Sequence, residues 1–303
     1  MIDRLMDKID KLQNPTVVGL DPAYGMIPQA MREEMLERYG RTPKAAAKMF
    51  LRFNQEIVDH VYDLVPAVKP QIAMYEQYGI EGLLSYMETV AYAKEKGLIV
   101  IGDIKRGDIA STAAAYAAHV SGVEIEGARF DLWNEDAVTL NPYMGFDGIE
   151  PFIGPCNAYD KGVFILVKTS NPSGKELQDL VADGKPVYEH AAQLVVKWGE
   201  LAMGAGGYSR VGAVVGATYK EQGEELRKTM PHIFFLIPGY GAQGATGGDI
   251  RGYFDREGRG CIVNSSRGII AAYKKDKKYG GHNFADAARE AALLMKKDLG
   301  GIL

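Results

Sequence analysis

One short charged segment, Asp103-Ile-Lys105-Arg-Gly-Asp108, carries residue types that are suited to chemistry. It follows an apolar run, Leu98–Ile101, with the length and side-chain branching of a buried parallel strand. Residues two apart on a strand share a face, so Asp103 and Lys105 are predicted to point the same way, about 6.6 Å apart along the chain. Asp108 follows where the strand gives way to an Ala-rich helix. Two carboxylates beside one ammonium form either a structural ion-pair cluster, because buried charges must be paired, or the centre of a catalytic site.

The acidic neighbours of Lys105 decide which chemistry this lysine can perform. Nearby carboxylates favour the charged form of an amine. A fixed ammonium can stabilise a developing negative charge or donate a proton, whereas a Schiff-base lysine must be neutral to act as a nucleophile. The pattern therefore favours an electrostatic or acid role for Lys105 over imine chemistry.

The composition of the 303-residue chain is that of a soluble globular protein, with 47% hydrophobic and 24% charged residues. A net charge of −4 and the lack of a basic block argue against a nucleic-acid partner. The charged N-terminus has no apolar targeting segment, and no run of about 18 apolar residues predicts a membrane span. Cys156 and Cys261 stand far apart without a CxxC pattern, so we expect free thiols in a reducing, cytoplasmic compartment.

Eight short apolar runs with strand character each precede a stretch with helix character. The predicted strands are 16–20, 67–72, 98–101 with its charged continuation, 137–140, 162–168, 211–215, 233–237 and 261–264. Strict β/α alternation predicts a parallel sheet, and eight units predict closure into a (β/α)8 TIM barrel. The alternative is an open doubly wound sheet, but no GxGxxG segment follows the first strand. No linker divides the chain, so residues 1–303 are predicted to form a single domain with inserted helices and loops.

Polar residues recur where the predicted strands end. In barrels of this kind, the active site lies at the carboxyl ends of the strands. These ends carry Asp21, Lys69, the segment 103–108, Asn141, Ser170, Gly216, Gln243 and Arg267. A purely structural ion pair would not require polar groups from most of the strands, so this convergence favours a catalytic role for Asp103 and Lys105.

The last two strand ends have the features of a phosphate site. Five glycines lie within residues 238–248, which would allow backbone amides to approach an anion. Ser266-Arg267-Gly268 opens a short predicted helix, whose amide groups and dipole favour a dianion, and Arg267 can add a bidentate clamp. A flexible glycine loop with a surface arginine is the alternative interpretation.

The charged segment resembles the Asp-x-Lys-x-x-Asp signature of the orotidine 5′-monophosphate decarboxylase family. The other strand ends match that family in order: Leu20-Asp21, Val68-Lys69-Pro70-Gln71, Thr139-Leu-Asn141-Pro-Tyr-Met-Gly145, Lys168-Thr-Ser170-Asn-Pro-Ser-Gly174, Pro238-Gly239 with Gln243, and Asn264-Ser-Ser-Arg267-Gly268. The resemblance is to the longer bacterial branch and covers residues 16–275. Related magnesium-dependent sugar-phosphate decarboxylases and aldolases share the signature, but they carry a metal-binding Glu on strand two, where this chain has Lys69.

The resemblance implies decarboxylation of orotidine 5′-monophosphate to uridine 5′-monophosphate without a metal or cofactor. It implies that Lys105 protonates C6 of the pyrimidine, that Asp103 lies beside the substrate carboxylate, and that Lys69 holds both in place. A non-enzymatic nucleotide-binding barrel would be expected to lack one of the charged residues Lys69, Asp103, Lys105 and Asp108. All four are present in this sequence.

The resemblance also implies how the rest of the nucleotide is bound. Asp21 would bind the ribose hydroxyls, and Ser170 would hydrogen-bond the pyrimidine ring. Gln243 and Arg267 would bind the phosphate together with backbone amides near Gly268.

A homodimer with shared active sites is the partner that the resemblance implies. Asp108 and Thr112 would reach the ribose end of the neighbouring subunit's site. Asn141 is expected near the site, and the inserted stretches 21–42 and 122–135 have no implied role.

Overall fold

The fold is built on one closed barrel of eight parallel strands. The computed structural model describes residues 1–241, 244–276 and 278–301. Its barrel strands are β1 (Thr16–Leu20), β2 (Ala67–Pro70), β3 (Ile99–Arg106), β4 (Ala137–Leu140), β5 (Gly162–Lys168), β6 (Val211–Val215), β7 (Phe235–Ile237) and β8 (Cys261–Ser265). Each strand pairs with its neighbours in sequence, and β1 pairs with β8 to close the barrel. The predicted (β/α)8 fold is confirmed.

Helices surround the barrel. The longer ones are Ile2–Leu12, Gln29–Tyr39, Pro43–Val61, Gly79–Glu95, Ala110–Tyr116, Glu150–Ala158, Val187–Gly199, Lys220–Thr229 and Phe284–Leu299, and four-residue helices span Ala73–Glu76, Ala118–Ser121, Lys175–Gln178, Gly247–Ile250 and Arg267–Ile270. Thr42 caps the start of the helix Pro43–Val61, because its Oγ1 accepts a hydrogen bond from Ala45 N. None of the helices described is long and apolar enough to cross a membrane.

The helix Val187–Gly199 is followed only by a short 3-10 turn, Glu200–Ala202. The Ser209 hydroxyl donates to the Gly199 carbonyl at 2.8 Å. Ser209 thereby supplies a donor to the carbonyl of the last helical residue, which has no partner within the helix.

Two small hairpins lie outside the barrel. They pair Val123–Ile125 with Ala128–Phe130, and Val181–Ala182 with Lys185–Pro186. Each turn has two residues with positive φ, the second a glycine: Glu126-Gly127 and Asp183-Gly184. Such pairs favour two-residue hairpin turns, so the Asp-Gly dipeptide was a sequence signal for the second hairpin.

The N-terminal helix Ile2–Leu12 closes one end of the barrel. Its apolar face packs on inward-facing strand side chains, including Phe164 and Ile262. On its other side, Arg4 binds Asp136 and Asp160, which precede β4 and β5. Because this helix covers the amino ends of the strands, the barrel opens at the carboxyl ends, where the polar residues converge.

The insertion 122–135 ends in a buried acid behind β3. Tyr86 Oη donates to Glu135 Oε1, and His119 Nδ1 lies 2.7 Å from Glu135 Oε2. A Cβ atom added to Gly102 would overlap with this carboxylate and would lie 2.8 Å from Tyr86 Oη. Gly102 therefore allows the inserted segment to pack against the strand that carries Asp103.

We expect the substitution Gly102→Ala to lower the free energy of unfolding by about 1–3 kcal/mol, because the new methyl group overpacks this contact. Gly154→Ala is the matched control, since a Cβ at that helical glycine meets nothing within 4 Å. Urea unfolding of both variants checks the prediction. Equal stabilities would show that the close approach at Gly102 imposes no constraint.

Candidate active site

Asp103 lies at the centre of a charged cluster at the open end of the barrel. Its side chain is 8% exposed, and Lys69 Nζ lies 2.6 Å from Oδ2. Lys105 Nζ lies 2.5 Å from Oδ1, to which Thr139 Oγ1 also donates at 2.8 Å. Lys69 is buried, whereas the Lys105 side chain is 44% exposed. The structure thus brings three predicted residues together and leaves one ammonium accessible.

A break in β3 positions Lys105. Its φ is +45°, and the pairing of β3 with β4 shifts between Gly102 and Arg106. The Lys105 amide donates to Thr139 Oγ1 at 3.0 Å, which holds the turn of the backbone. The predicted proximity to Asp103 is present, but this irregularity produces it rather than regular strand alternation. A non-glycine residue in the left-handed region is a form of strain that often accompanies function.

The cluster keeps its charges despite being buried. Burial would raise the pKa of Asp103, but the nearby Lys69 and Lys105 ammoniums outweigh burial and hold that pKa well below its ordinary value. Burial would lower the pKa of Lys69, but Asp103 and Asp21 raise it above its ordinary value. At neutral pH the site therefore contains a fixed carboxylate and a fixed ammonium, set in place before any ligand arrives.

Two adjoining pockets run across the open end. The first, of about 240 Å³, is lined by the charged cluster with Lys69, Asp103, Lys105, Thr139, Ser170 and Pro238. The second, of about 470 Å³, is lined by Asp21, Ser170, Pro238, Tyr240, Asn264, Ser266 and Arg267. Ser170 and Pro238 line both pockets, so Ser170 lies between the charged cluster and Arg267. The arrangement suits an extended ligand with a reacting group at one end and an anion at the other.

The second pocket is lined by two hydrogen-bond acceptors that have no partner in the described part of the chain. Asp21 Oδ1 and Asn264 Oδ1 are buried and have no hydrogen-bond partner within the described part of the chain. Acceptors of this kind need a donor, and a ligand hydroxyl in the pocket would supply one. Arg267 and Gly268 begin the helix Arg267–Ile270, with Ser266 before it, so the predicted helix start is present.

The loop after β7 is held by the last helix. Tyr240 Oη donates to Asp298 Oδ2 at 2.5 Å, and Gly247 N donates to the same oxygen at 2.7 Å. Burial and the hydrogen bond to Asp298 raise the pKa of Tyr240 above its ordinary value. Gln243, the other predicted phosphate ligand, lies outside the described residues.

Four predicted site residues in the described part of the chain do not line these two pockets. Gly268 directly follows the pocket residue Arg267, and the other three lie elsewhere. Asn141 Oδ1 accepts from Tyr143 N at 3.0 Å and caps the turn Pro142–Met144, and Asn141 lines a separate pocket of about 310 Å³. Asp108 Oδ1 accepts from Ile109 N at 2.7 Å. Thr112 is exposed on the following helix. In the described part of the chain no hydrogen bond or ion pair joins the side chains of these three residues to Lys69, Asp103 or Lys105, but Asn141 N donates to the Arg106 carbonyl at 2.8 Å, beside Lys105.

The sequence analysis assigned no role to two residues of the site, Thr139 and Asn264. Both are polar residues on largely apolar strands, and each precedes by two or three positions a residue that was selected, Asn141 or Arg267. A polar residue inside a predicted buried strand was the available signal, because such a group needs a partner.

The low pKa of Asp103 predicts a pH-dependent contribution to stability. The ionised form is stabilised in the fold, so this contribution is fully present above the ordinary value of 3.8 and is lost as the pH falls below it. Asp103→Asn breaks a buried pair and is expected to lower the free energy of unfolding by about 3–5 kcal/mol at neutral pH.

Urea unfolding between pH 3 and pH 8 measures this effect, with the exposed Asp7→Asn as control. The difference between wild type and Asp103→Asn should be constant down to about pH 4 and then narrow. A difference that stays constant down to pH 3 would contradict the assigned charges.

The comparisons with known proteins agree with this geometry. The model of the orotidine 5′-phosphate decarboxylase / HUMPS family matches residues 43–280. The chain is 45% identical over 290 residues to an orotidine 5′-phosphate decarboxylase of Rhodopirellula baltica, covering 94% of each chain. It is 44% identical to the protein of the same name from Petrotoga mobilis, covering 99% of this chain and 98% of that one.

A solved structure of OMP decarboxylase from Leishmania donovani superimposes with a TM-score of 0.74 and 28% identity. The match covers 99% of this chain and 97% of that chain. The family model, the relatives and the solved structure all point to the same family. The chain belongs to the orotidine 5′-phosphate decarboxylase family.

Proposed function

We propose that this protein decarboxylates orotidine 5′-monophosphate to uridine 5′-monophosphate, the last step of de novo pyrimidine nucleotide synthesis. The observation that carries the proposal is the paired Lys69–Asp103–Lys105 cluster, which faces a pocket that adjoins the Arg267 pocket. Membership of the family supports the same activity.

Lys105 is the proposed acid. When the bond between C6 and the carboxylate breaks, the electron pair stays on C6 in the plane of the ring, where no π system accepts it. An ammonium about 4 Å away stabilises a unit negative charge by about 4 kcal/mol at an effective dielectric constant near 20. Lys105 Nζ then donates its proton to C6 as carbon dioxide leaves.

One lysine does not supply the whole effect, because enzymes lower barriers by roughly 8–23 kcal/mol. Lys69 and Asp103 are already paired before the substrate binds, so they need no reorganisation during the reaction. The phosphate binds at Arg267 and the Gly268 amide, remote from C6. The free energy of this binding drives closure of the loops after β5 and β7 over the base. Asp103 lies beside the substrate carboxylate in this proposal.

In this proposal the nucleotide occupies both pockets described above. Ser170 hydrogen-bonds the pyrimidine ring, since it lines both pockets. Asp21 accepts hydrogen bonds from the ribose hydroxyls, and its unpartnered Oδ1 supports this role. Gln243 joins Arg267 at the phosphate in the proposal. Asn141 caps a neighbouring turn and is proposed as a further residue near the substrate.

The proposed reaction uses neither a metal nor an organic cofactor. Lys69 stands where magnesium-dependent barrels of similar signature have a metal-binding Glu, and its ammonium would repel a cation. Within the described part of the chain, no three His, Cys, Asp or Glu side chains are grouped so that they could hold a metal ion.

The decisive experiment follows the ultraviolet absorbance of orotidine 5′-monophosphate with catalytic amounts of protein, with and without EDTA. The spectrum should shift to that of uridine 5′-monophosphate at the same rate in both. Lys105→Ala should lose almost all turnover while nucleotide binding largely survives, and the exposed Lys228→Ala should match wild type. A loss below about tenfold, or roughly 1.4 kcal/mol, would show that Lys105 is not the acid.

We further propose a homodimer in which Asp108 and Thr112 complete the partner's site. Asp108 immediately precedes Ile109, which is 54% exposed. Gly148 lies against the Asp108 backbone, since a Cβ added to it would be 2.8 Å from the Asp108 carbonyl oxygen, and the same loop carries Tyr143, which is 79% exposed. Exposed apolar patches of this kind mark protein interfaces.

Mixing Asp108→Asn with Lys105→Ala protein tests the shared site. A hybrid dimer would contain one site with both substitutions and one intact site. An equal mixture should therefore recover about a quarter of wild-type activity, because half of the dimers are hybrids with one working site in two. Inactive dimers whose hybrid composition has been verified would refute the sharing of sites.

The cysteines support the cytoplasm as the proposed location. Cys156 and Cys261 are both free and buried. Burial raises the pKa of each thiol to about 12. Such thiols are inert, as expected for structural cysteines in a reducing compartment.

A further inference from the structure

Lys168 is a buried cation close to the site that the proposed chemistry does not use. It is the last residue of β5, two positions before Ser170, and its side chain is only 1% exposed. Its ammonium binds Asp179 and lies 5.0 Å from the ring centre of Tyr188 and 4.8 Å from that of Tyr219. The side chain thus lies between two aromatic rings and is absent from the lining of both substrate pockets.

The partners of Lys168 belong to different parts of the fold. Tyr188 lies on the helix Val187–Gly199, and Tyr219 immediately precedes the helix Lys220–Thr229. Asp179 belongs to the loop that leaves β5 and carries Ser170. A cation on an aromatic face is attracted to it, and a buried ion pair resists separation once formed. The ammonium therefore ties the loop to the rigid layer of helices around the barrel.

Hydrogen bonds carry this attachment from Asp179 to Ser170. The neighbouring Gln178 accepts from Thr169 N at 3.0 Å through Oε1 and donates to Thr169 Oγ1 at 2.7 Å through Nε2. From the other side, a Cβ at Gly216 would lie 2.7 Å from Ser170 N, so β6 ends directly against the Ser170 backbone. Ser170 is thus held between the end of β6 and the segment that Lys168 anchors.

We propose that Lys168 is a positioning residue, which holds Asp179 between the barrel helices so that Ser170 stays in place at the junction of the two pockets. The inference rests on the proposed function for the identity of the ring that Ser170 contacts. A loop that is already ordered loses less conformational freedom when the nucleotide binds. More of the binding free energy is therefore available to lower the barrier to reaction at C6. Lys168 itself does not touch the substrate.

The test separates this role from simple stabilisation by a double-mutant cycle of Lys168→Met with Ser170→Ala. Methionine fills the space of the lysine stem, and Asp179, with 34% of its side chain exposed, can be hydrated in the variant. Each single substitution should lower kcat/KM for orotidine 5′-monophosphate about tenfold. The double variant should fall no more than about twofold below Ser170→Ala, because Lys168 acts through Ser170.

Lys161→Met is the matched control at the opposite end of the same strand. Lys161 is 9% exposed and binds Asp131 at 2.8 Å, so its loss also breaks a buried lysine–aspartate pair. The losses in kcat/KM from Lys161→Met and Ser170→Ala should multiply in the double variant, because the two residues act independently. Losses that simply multiply for Lys168→Met and Ser170→Ala, or an unchanged kcat/KM in Lys168→Met, would overturn the positioning role.

Amide hydrogen exchange gives a readout that does not depend on turnover. Exchange in residues 169–180 should be at least about tenfold faster in Lys168→Met and unchanged in Lys161→Met, because only the first releases the loop. Unchanged exchange there would overturn the anchor, whereas a wild-type protein without decarboxylase activity would refute only the proposed function. If Lys168→Met does not fold, Tyr219→Leu removes one aromatic contact of Lys168 and keeps its ion pair with Asp179. This variant should also lower kcat/KM and speed up amide exchange in residues 169–180.

Discussion

The ion pair between buried Asp103 and Lys69 is the interaction on which the site depends. A carboxylate in this position is tolerated only with partners, and those partners come from three neighbouring strands: Lys69 on β2, Lys105 on β3 and Thr139 at the end of β4. None of these strands could shift without leaving a charge or hydroxyl unpaired. The closed barrel holds them in register, so the stability of the fold and the geometry of the chemistry share the same contacts.

Much of this arrangement could be predicted from the sequence because the topology is regular. Eight β/α units predict a barrel, and a barrel places the carboxyl ends of its strands on one side. Residues as distant as Lys69 and Arg267 could therefore be assigned to one site without any knowledge of contacts. The helix start at Ser266 and the burial of Lys69 follow from the same reasoning.

The parts that could not be predicted are those where regular alternation fails. Lys105 has a positive φ inside a strand whose pairing shifts, and the pairing of β6 with β5 shifts at Val214 and Val215. A period of two residues contains no information about such irregularities. For the same reason, the sequence did not reveal that Lys168 turns towards the helices, or that Glu135 in the insertion fills the space behind β3.

The contact between Asp298 and the loop after β7 has a consequence for how the protein is made. This loop borders the Arg267 pocket, yet its partner lies on the last helix, and β1 is paired on one side only until β8 has been synthesised. A nascent chain on the ribosome therefore exposes the open edge of β1 until β8 has been synthesised. The loop after β7 gains its contact with Asp298 only once the helix Phe284–Leu299 has also been synthesised.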